Sequence, residues 1–209
     1  MMKADQNKLE QLRRERTLVV IKPDAVIRHI VGELITRFER KGLKIIALKM
    51  LWPGQQLAER HYTDSEEWLE STGTKTLNNY LKQGITPDVK PREIGLNTRR
   101  KLIDHLTAGP VVAMVLQGAH SIEVVRKMRG STSPRGAEVG TIGFDYTLES
   151  YELSDAGDWA IKNVIHASDS PEEVEREIKI WFKPEELVEY DTAIDHVLYT
   201  NDWFQGPKN

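Results

Sequence analysis

The sequence contains no cysteine, and this absence excludes several kinds of chemistry. Disulfide bonds, thiolate nucleophiles and zinc sites built from cysteine are all ruled out. No apolar run approaches the length that spans a bilayer. Residues 1–16 are predominantly polar and charged, so we expect no secretory signal there. These absences favour a cytoplasmic protein without a membrane partner.

A surplus of positive charge is also missing. The chain has 29 Lys and Arg against 32 Asp and Glu, so its net charge is −3 with histidine neutral. This balance argues against a broad surface for nucleic acid, although it leaves room for a local cationic pocket. The GxxxxGK[ST] motif of P-loop enzymes is absent, and no GxGxxG turn opens a helix after a strand.

Hydrophobic periodicity is what the sequence does contain. Hydrophobic residues make up 39% of the 209 residues, which is enough for the packed core of a single domain over residues 1–209. Short apolar runs predict strands at residues 17–22, 43–50, 110–116 and 161–165. Apolar residues at helical spacing predict helices at residues 31–38, 55–61, 74–83, 94–106, 121–130 and 170–182.

N-cap residues and loop-forming residues define the remaining segments. Ser121 and Ser170 are the expected N-caps of the last two helices, and Glu173 is placed to complete a capping box. We predict that residues 1–15 are an N-terminal appendage, that residues 64–108 are a helical insertion, and that most of residues 131–160 is loop. The order of elements favours an α/β class, an α+β sandwich with a ferredoxin-like four-stranded antiparallel sheet covered by helices.

The run NVIHASDS at residues 163–170 places a histidine between a strand-like segment and a capped helix. A helix N-terminus attracts anions, and a neutral imidazole beside it can act as a nucleophile near neutral pH. Glu177 is a candidate to hold the other ring nitrogen of His166, and Ser168 could bridge the two. Taken alone, the segment also fits a structural histidine before an ordinary cap, which is the commoner case.

Two further segments carry cations that could meet a phosphate. Lys22 ends the first strand just before Pro23, where its ammonium could act as a point charge, although a plain edge lysine is the simpler reading. Arg126 and Thr132 lie in a basic helix end that runs into a hydroxyl-rich loop. Basic residues at that position also simply complement the negative end of a helix.

Aromatic and histidine residues outside these segments are less specific. Tyr62, Trp68 and Trp159 could offer a face for a base, but aromatic residues more often belong to a core. Three histidines have no recognisable metal-ligand spacing, so no metal site built by the protein is predicted: His61, His105 and His120.

Together these segments resemble the nucleoside diphosphate kinase family. The similar blocks occur in the family's order at residues 15–26, 32–50, 61–62, 109–114, 126–134, 140–142, 163–170 and 176–190. The run around His166 and the run WFKPEEL at residues 181–187 are the most specific of them. A long form with insertions is indicated, because residues 64–108 enlarge one region and residues 146–160 lengthen the loop before the catalytic strand.

The resemblance implies a ping-pong transfer of the γ-phosphate from a nucleoside triphosphate to a nucleoside diphosphate through a phosphohistidine on His166. It implies roles for the other site residues: Lys22 on the transferred phosphate and a sugar hydroxyl, Arg126 and Thr132 on the inner phosphates, Asn163 on the ribose, Tyr62 and Glu177 beside the histidine, and Ser168 beside Glu177. It also implies Mg²⁺ bound mainly through the nucleotide phosphates.

Departures from the family pattern lead to further expectations. The family usually has Arg where Gly143 stands, so nucleotide affinity or rate should fall unless Arg129, Arg135 or Lys162 replaces it. The base-stacking residue cannot be aligned in the enlarged region, and Trp68 is the candidate. A regulatory nucleotide-binding relative with weak or no turnover is therefore the alternative function, and a scaffold used only for protein association is a more distant one.

The resemblance also bears on assembly. Family members are homo-oligomers, and the segment 183–190 with the tail to Trp203 resembles the longer C-terminal end of hexameric members. We expect a hexamer, with a tetramer as the alternative.

Overall fold

The computed structural model of the chain describes residues 5–201. Its four strands form one antiparallel sheet in the order β2-β3-β1-β4. The strands are β1 (Arg16–Ile21), β2 (Lys44–Leu51), β3 (Val111–Gln117) and β4 (Ile165–Ala167). The two edge strands follow the helical connections, which is the ferredoxin-like arrangement that the sequence predicts.

Helices cover both faces of the sheet. In chain order they are α1 (Gln6–Arg13), α2 (Pro23–Ile27), α3 (Val31–Arg40), α4 (Gln55–His61), α5 (Glu66–Lys82), α6 (Pro91–Thr107), α7 (Ser121–Arg129), α8 (Ile142–Tyr146), α9 (Tyr151–Ala156), α10 (Pro171–Trp181) and α11 (Ala193–Tyr199). Alternate residues of β1 serve two cores. Leu18 and Val20 pack with α4, α6 and α10, whereas Val19 and Ile21 pack with α2, α3 and α7. Because both faces are covered, β1 and β3 read as continuous apolar runs.

Helices α5 and α6 lie within the segment 64–108 that is predicted to be an insertion, and they form a tightly packed pair. A Cβ atom on Gly73 would lie 1.7 Å from the carbonyl oxygen of Pro91, and one on Gly95 would lie 2.1 Å from that of Leu69. Glycine at both positions therefore lets the two backbones touch. Helix α5 begins at Glu66 rather than at residue 74, because the Ser65 hydroxyl accepts the Trp68 N–H at 3.3 Å and starts the helix earlier.

Two local predictions are corrected, and a third, that most of residues 131–160 is loop, holds with two short helices added. The fourth strand starts at Ile165 instead of residue 161, since Val164 has a φ of +60° and interrupts the extended chain. His120, at a φ of +58°, is the N-cap of α7, and the Ser121 hydroxyl is buried with no partner among residues 5–201. Residues 131–160 contain α8 and α9 as well as loop, because the hydroxyls of Thr141 and Ser150 cap them.

The two ends of the described chain meet. Helix α1, within the predicted appendage, contacts α11, and residues 1–4 and Trp203 lie outside the described range. Ser170 caps α10 as predicted by accepting the Glu173 N–H at 3.3 Å. The Glu173 carboxylate pairs with Arg176 instead of completing a capping box. No helix within residues 5–201 is both long enough and apolar enough to cross a bilayer.

Candidate active site

A cavity of about 740 Å³ lies beside β4, between the N-terminal end of α10 and the insertion helix α5. It is lined by most of the predicted site residues: Lys22, Tyr62, Trp68, Thr132, Asn163, His166 and Glu177. Two side-chain contacts join the segment 64–108 to residues 146–160. Gln83 donates to Asp155 at 3.3 Å, and Lys101 pairs with Asp158 at 2.7 Å. Residues from both segments line the cavity.

The His166 imidazole is held by a buried carboxylate. His166 lies on β4 opposite Val20, and its Nε2 is 2.9 Å from Oε2 of Glu177 on α10. The Ser168 hydroxyl donates to the same oxygen at 2.5 Å. Because a carboxylate only accepts, Nε2 carries the proton, and the neutral ring keeps its lone pair on Nδ1. The side chain is 19% exposed, so the ring is accessible from the cavity.

Glu177 is a carboxylate at all ordinary pH values. Burial raises its pKa, but the positive charge that His166 and His61 carry when protonated, together with the hydrogen bonds from His166 and Ser168, lowers the pKa to about 2. Arg176 lies 3.5 Å from its second oxygen and also bonds two carbonyls at the end of α4. Arg176 therefore ties the carboxylate to the neighbouring helix.

His61 packs behind the pair as a neutral ring. Its Nδ1 accepts the indole N–H of Trp181 at 3.2 Å, and the ring meets His166 edge-on with centroids 4.4 Å apart. Burial lowers the pKa of His61 to about 3. The ligand atoms of His61, His166 and Glu177 lie within 4.8 Å of one another, which is the spacing of a metal site. Since Glu177 bonds His166, and His61 is held by Trp181 and packs on His166, these contacts position the His166 ring.

Lys22 and Asn163 line the cavity as a hydrogen-bonded pair. The Lys22 ammonium donates to Oδ1 of Asn163 at 2.7 Å, and the Asn163 amide donates to the carbonyl of Thr132 at 2.9 Å. Lys22 is only 4% exposed, and this burial lowers its pKa to about 8, with the charge of Asp24 opposing the shift and that of Arg129 adding to it. A cation held this way is ready for an anion entering the cavity.

The two predicted phosphate-binding residues of the α7 region are placed differently. Thr132 lines the cavity with His166. Arg126 lies outside it, in a neighbouring hollow, where its guanidinium is paired with Asp169. Arg129, one turn further on, faces the cavity instead.

The three proposed replacements for the missing Arg also differ. Arg135 pairs with Glu152 at 2.7 Å, and the ammonium of Lys162 lies 3.9 Å from the centroid of the Trp159 ring. Of the three, only Arg129 lines the cavity. Gly143 is buried, and a Cβ there would lie 3.2 Å from the carbonyl oxygen of Arg129. A side chain at position 143 would therefore press on the segment that carries Arg129.

Aromatic rings border the cavity beside the insertion. Tyr62 is buried, which raises its pKa, and its ring lies 6.5 Å from that of the half-buried Trp68. Trp159 lines the far side, with its indole N–H 3.3 Å from Glu149. Trp68 and Tyr80 of α5 both line the cavity, and the ring of Trp68 lies beside that of Tyr62.

Sequence reasoning missed several groups that shape this site. No role in the site is predicted for Asp24, which bonds the turn before β4, or for His61, which accepts the Trp181 indole N–H behind His166. Arg129 was named only as one of three replacements. Their positions in the sequence gave no distinguishing signal, because each acquires its partner from an element far along the chain.

Comparison with known proteins agrees with this geometry. The family model described as nucleoside diphosphate kinase matches residues 15–76 and 96–187. A nucleoside diphosphate kinase of Pyrobaculum aerophilum is 48% identical over 180 residues, covering 84% of this chain and 98% of the relative. That of Pyrococcus horikoshii is 49% identical over 181 residues, covering 87% and 93%.

Solved structures give the same result. An NDP kinase structure from Pyrobaculum aerophilum superposes with a TM-score of 0.81 at 46% identity, covering 84% of this chain and all of that one. A transition-state mimic of nucleoside-diphosphate kinase from Borrelia burgdorferi, with bound vanadate and ADP, gives a TM-score of 0.72 at 34% identity, covering 88% and 96%. The predicted fold and family are thus confirmed, and the chain belongs to the nucleoside diphosphate kinase family of nucleotide-binding phosphotransferases.

Proposed function

We propose that this kinase passes the γ-phosphate between nucleotides through a phosphate carried on Nδ1 of His166. The observation that supports this assignment is the commitment of Nε2 to Glu177, which leaves Nδ1 as the ring nitrogen with a lone pair. In the first half-reaction Nδ1 attacks the γ-phosphorus, and the bond from that phosphorus to the bridging oxygen breaks, so the diphosphate leaves. In the second, an oxygen of an incoming diphosphate attacks the phosphorus and the P–N bond breaks.

Glu177 stabilises the positive charge that develops on the ring during attack, because its carboxylate accepts the Nε2 proton in a buried hydrogen bond. Ser168 restrains that carboxylate through its own hydrogen bond. Lys22 is proposed to bind the transferred phosphate, Asn163 the ribose and Thr132 the inner phosphates. Tyr62 flanks the histidine, and Trp68 stacks on the base. Positioning and charge stabilisation of this kind account for most phosphoryl-transfer catalysis.

Arg126 needs a change of partner to take the role that the resemblance gives it. Its guanidinium is paired with Asp169, whose side chain borders both the hollow of Arg126 and the cavity of His166. We propose that an inner phosphate replaces Asp169 as the partner of Arg126. Breaking the Arg126–Asp169 pair costs little free energy, since a partly exposed ion pair is worth about 1 kcal/mol or less.

Mg²⁺ is the proposed cofactor, and the residues around the cavity agree with binding through nucleotide phosphates. Glu177, the buried carboxylate nearest His166, is committed to that histidine. Among the described residues the group with the spacing of a metal site is His61, His166 and Glu177, which contains a single carboxylate, whereas Mg²⁺ commonly takes substrate phosphates as ligands. When bound, the ion would neutralise phosphate charge.

The remaining expectations are also part of the proposal. We propose one domain over residues 1–209, with residues 1–15 as an appendage, residues 64–108 as an insertion and residues 146–160 as a lengthened loop. A homo-hexamer is proposed, with a tetramer as the alternative that light scattering distinguishes. A cytoplasmic location and the lack of nucleic-acid and membrane partners stay predictions.

Labelling with γ-labelled ATP tests the assignment of His166. The wild-type protein should form an acid-labile, base-stable phosphoprotein, and His166→Ala should form none. His196→Ala, which removes an exposed histidine of α11, is the matched control and should label normally. Label that survives His166→Ala would rule out this residue. Binding of ADP without turnover in the wild type would favour the regulatory alternative.

A further inference from the structure

We propose that Arg129 is a phosphate-binding residue of this site and supplies a second fixed cation beside Lys22. The inference rests on the proposed function, because it assigns a further ligand for the same nucleotide. Arg129 lies in the last turn of α7, and its side chain lines the cavity together with Lys22, Asn163 and His166.

The guanidinium of Arg129 is oriented by its neighbours and still has a donor to spare. Its Nε bonds the carbonyl of Gly130 at 3.3 Å, and its Nη2 donates to the hydroxyl of Thr132 at 3.1 Å. Tyr151 of α9 lies close enough to act on its charge. Within residues 5–201 no acceptor is bonded to Nη1. A planar fork held in place with open N–H groups matches the oxygens of a phosphate.

The positive charges of Arg129 and Lys22 are not neutralised by an ion pair within residues 5–201. No carboxylate of the described chain lies within 4.0 Å of the cationic nitrogens of Arg129 or Lys22. Burial lowers the pKa of Arg129, and the nearby charge of Arg126 lowers it further. Two poorly hydrated cations that share one cavity repel each other, so a bound polyanion gains more there than at an exposed site.

A simpler role, the neutralisation of the negative end of α7, does not account for Arg129. That helix end also carries Arg126 and Lys127, and both have carboxylate partners, Asp169 and Glu123. Arg129 is the basic residue of this turn that faces the cavity and has no such partner within residues 5–201. Arg129 is therefore positioned to bind a ligand in the cavity.

Arg129 also belongs to a continuous network with the other ligands. It donates to the hydroxyl of Thr132, the carbonyl of Thr132 accepts from Asn163, and the oxygen of the Asn163 amide accepts from Lys22. The network fixes the two cations relative to each other before a nucleotide binds. Pre-organisation of this kind lowers the cost of ordering side chains around a ligand.

Calorimetric titration with ADP and with adenosine tests the proposal. Arg129→Leu should weaken ADP binding about 10- to 100-fold, the loss expected for charged hydrogen bonds, and should leave adenosine affinity unchanged. Arg135→Leu is the matched control, because it removes an arginine of the next loop that is paired with Glu152 outside the cavity. It should bind ADP like the wild type.

The conservative variant Arg129→Lys guards against a folding defect, since it keeps the charge and most of the aliphatic stem. It should bind ADP about tenfold more weakly than the wild type, because an ammonium cannot reproduce a fork of N–H groups. ADP affinity within twofold of the wild type in a folded Arg129→Leu or Arg129→Lys protein would overturn the proposal. Failure of the wild type to form a phosphoprotein would instead count against the proposed function, so the two outcomes are distinguishable.

Discussion

The Asp24 carboxylate accepts the backbone N–H of Val164 at 3.0 Å, and so joins the start of α2 to the turn that precedes β4. Val164 is a buried β-branched residue at a φ of +60°, a conformation that costs roughly 1–3 kcal/mol. Its carbonyl accepts the N–H of Lys22 at 2.8 Å, so both of its polar groups are bonded. This turn sets the positions of Asn163 and His166 relative to Lys22.

We expect Asp24→Ala to destabilise the protein by about 2–4 kcal/mol and to lower kcat/KM, because it leaves the strained turn without its acceptor. His105 would also lose its partner, which lies 3.1 Å away. Urea unfolding and a coupled kinase assay measure the two effects. Asp104→Ala, which removes an exposed carboxylate paired with Arg100, is the control and should change stability by less than about 1 kcal/mol. Equal stability of the two variants would contradict the role of Asp24.

The hydrogen-bonded chain from Ser168 to Glu177 to His166 predicts that variants of Ser168 and Glu177 slow phosphoenzyme formation to different extents. Glu177→Gln should slow phosphoenzyme formation about 100-fold or more, because the charge that stabilises the imidazolium is lost. Ser168→Ala should slow it only about fivefold, since one neutral donor is removed and the carboxylate stays. Rapid-quench measurement of a single turnover provides both rates. Glu175→Gln, on the exposed side of α10 where Glu175 pairs with Arg16, should react like the wild type. A Ser168→Ala rate below that of Glu177→Gln is the result that would refute the order.

The buried Lys22 ammonium predicts a loss of activity on the alkaline side. Because burial lowers its pKa to about 8, the free enzyme loses this cation as the pH rises through about 8, and kcat/KM should fall there. Lys22→Arg should remove the descending limb, whatever its absolute rate, since guanidinium stays charged. The free energy of unfolding should rise between pH 8 and 10.5, where the unfolded chain still binds the proton that the native protein has released. A flat wild-type profile from pH 7 to 9.5 is incompatible with this account.

His61 predicts sensitivity to acid. Burial lowers its pKa from 6.5 to about 3, so between pH 6.5 and about 3 the unfolded chain binds a proton that the native protein does not bind. Stability should therefore fall as the pH drops below 6.5, by about 2 kcal/mol between pH 7 and pH 5 from this residue. Glu177 adds nothing in that interval, because its contribution is lost only between about 4.5 and about 2.

Urea unfolding of His61→Gln at pH 7 and pH 5 checks this prediction. The variant should be less stable than the wild type at pH 7 yet lose less on acidification, since the Gln carbonyl can accept the Trp181 indole N–H without titrating. His196→Gln alters an exposed histidine and should keep the wild-type acid dependence. An unchanged acid dependence in His61→Gln would show that another group is responsible.

Local sequence patterns predicted most of the elements of the fold. The apolar runs at residues 17–22 and 43–50, the amphipathic spacing of 31–38 and the cap at Ser170 each match an observed element. The errors fell where long-range contacts override local preference. Val164 takes a left-handed conformation because Asp24 and Lys22 bond it from another element, and no residue-by-residue propensity predicts that.

The sequence by itself determined the position of the first three strands to within one residue, a histidine before a capped helix, cations near apolar strand ends, and the absence of thiols. Only the tertiary structure decided which of these groups act together. It turned Arg129 rather than Arg126 toward His166, placed Glu177 on one ring nitrogen, and buried His61 as a neutral support. The reason is physical. Residue type and spacing set local conformation, whereas burial, ion pairing and the direction of a long side chain depend on elements that are distant in the chain.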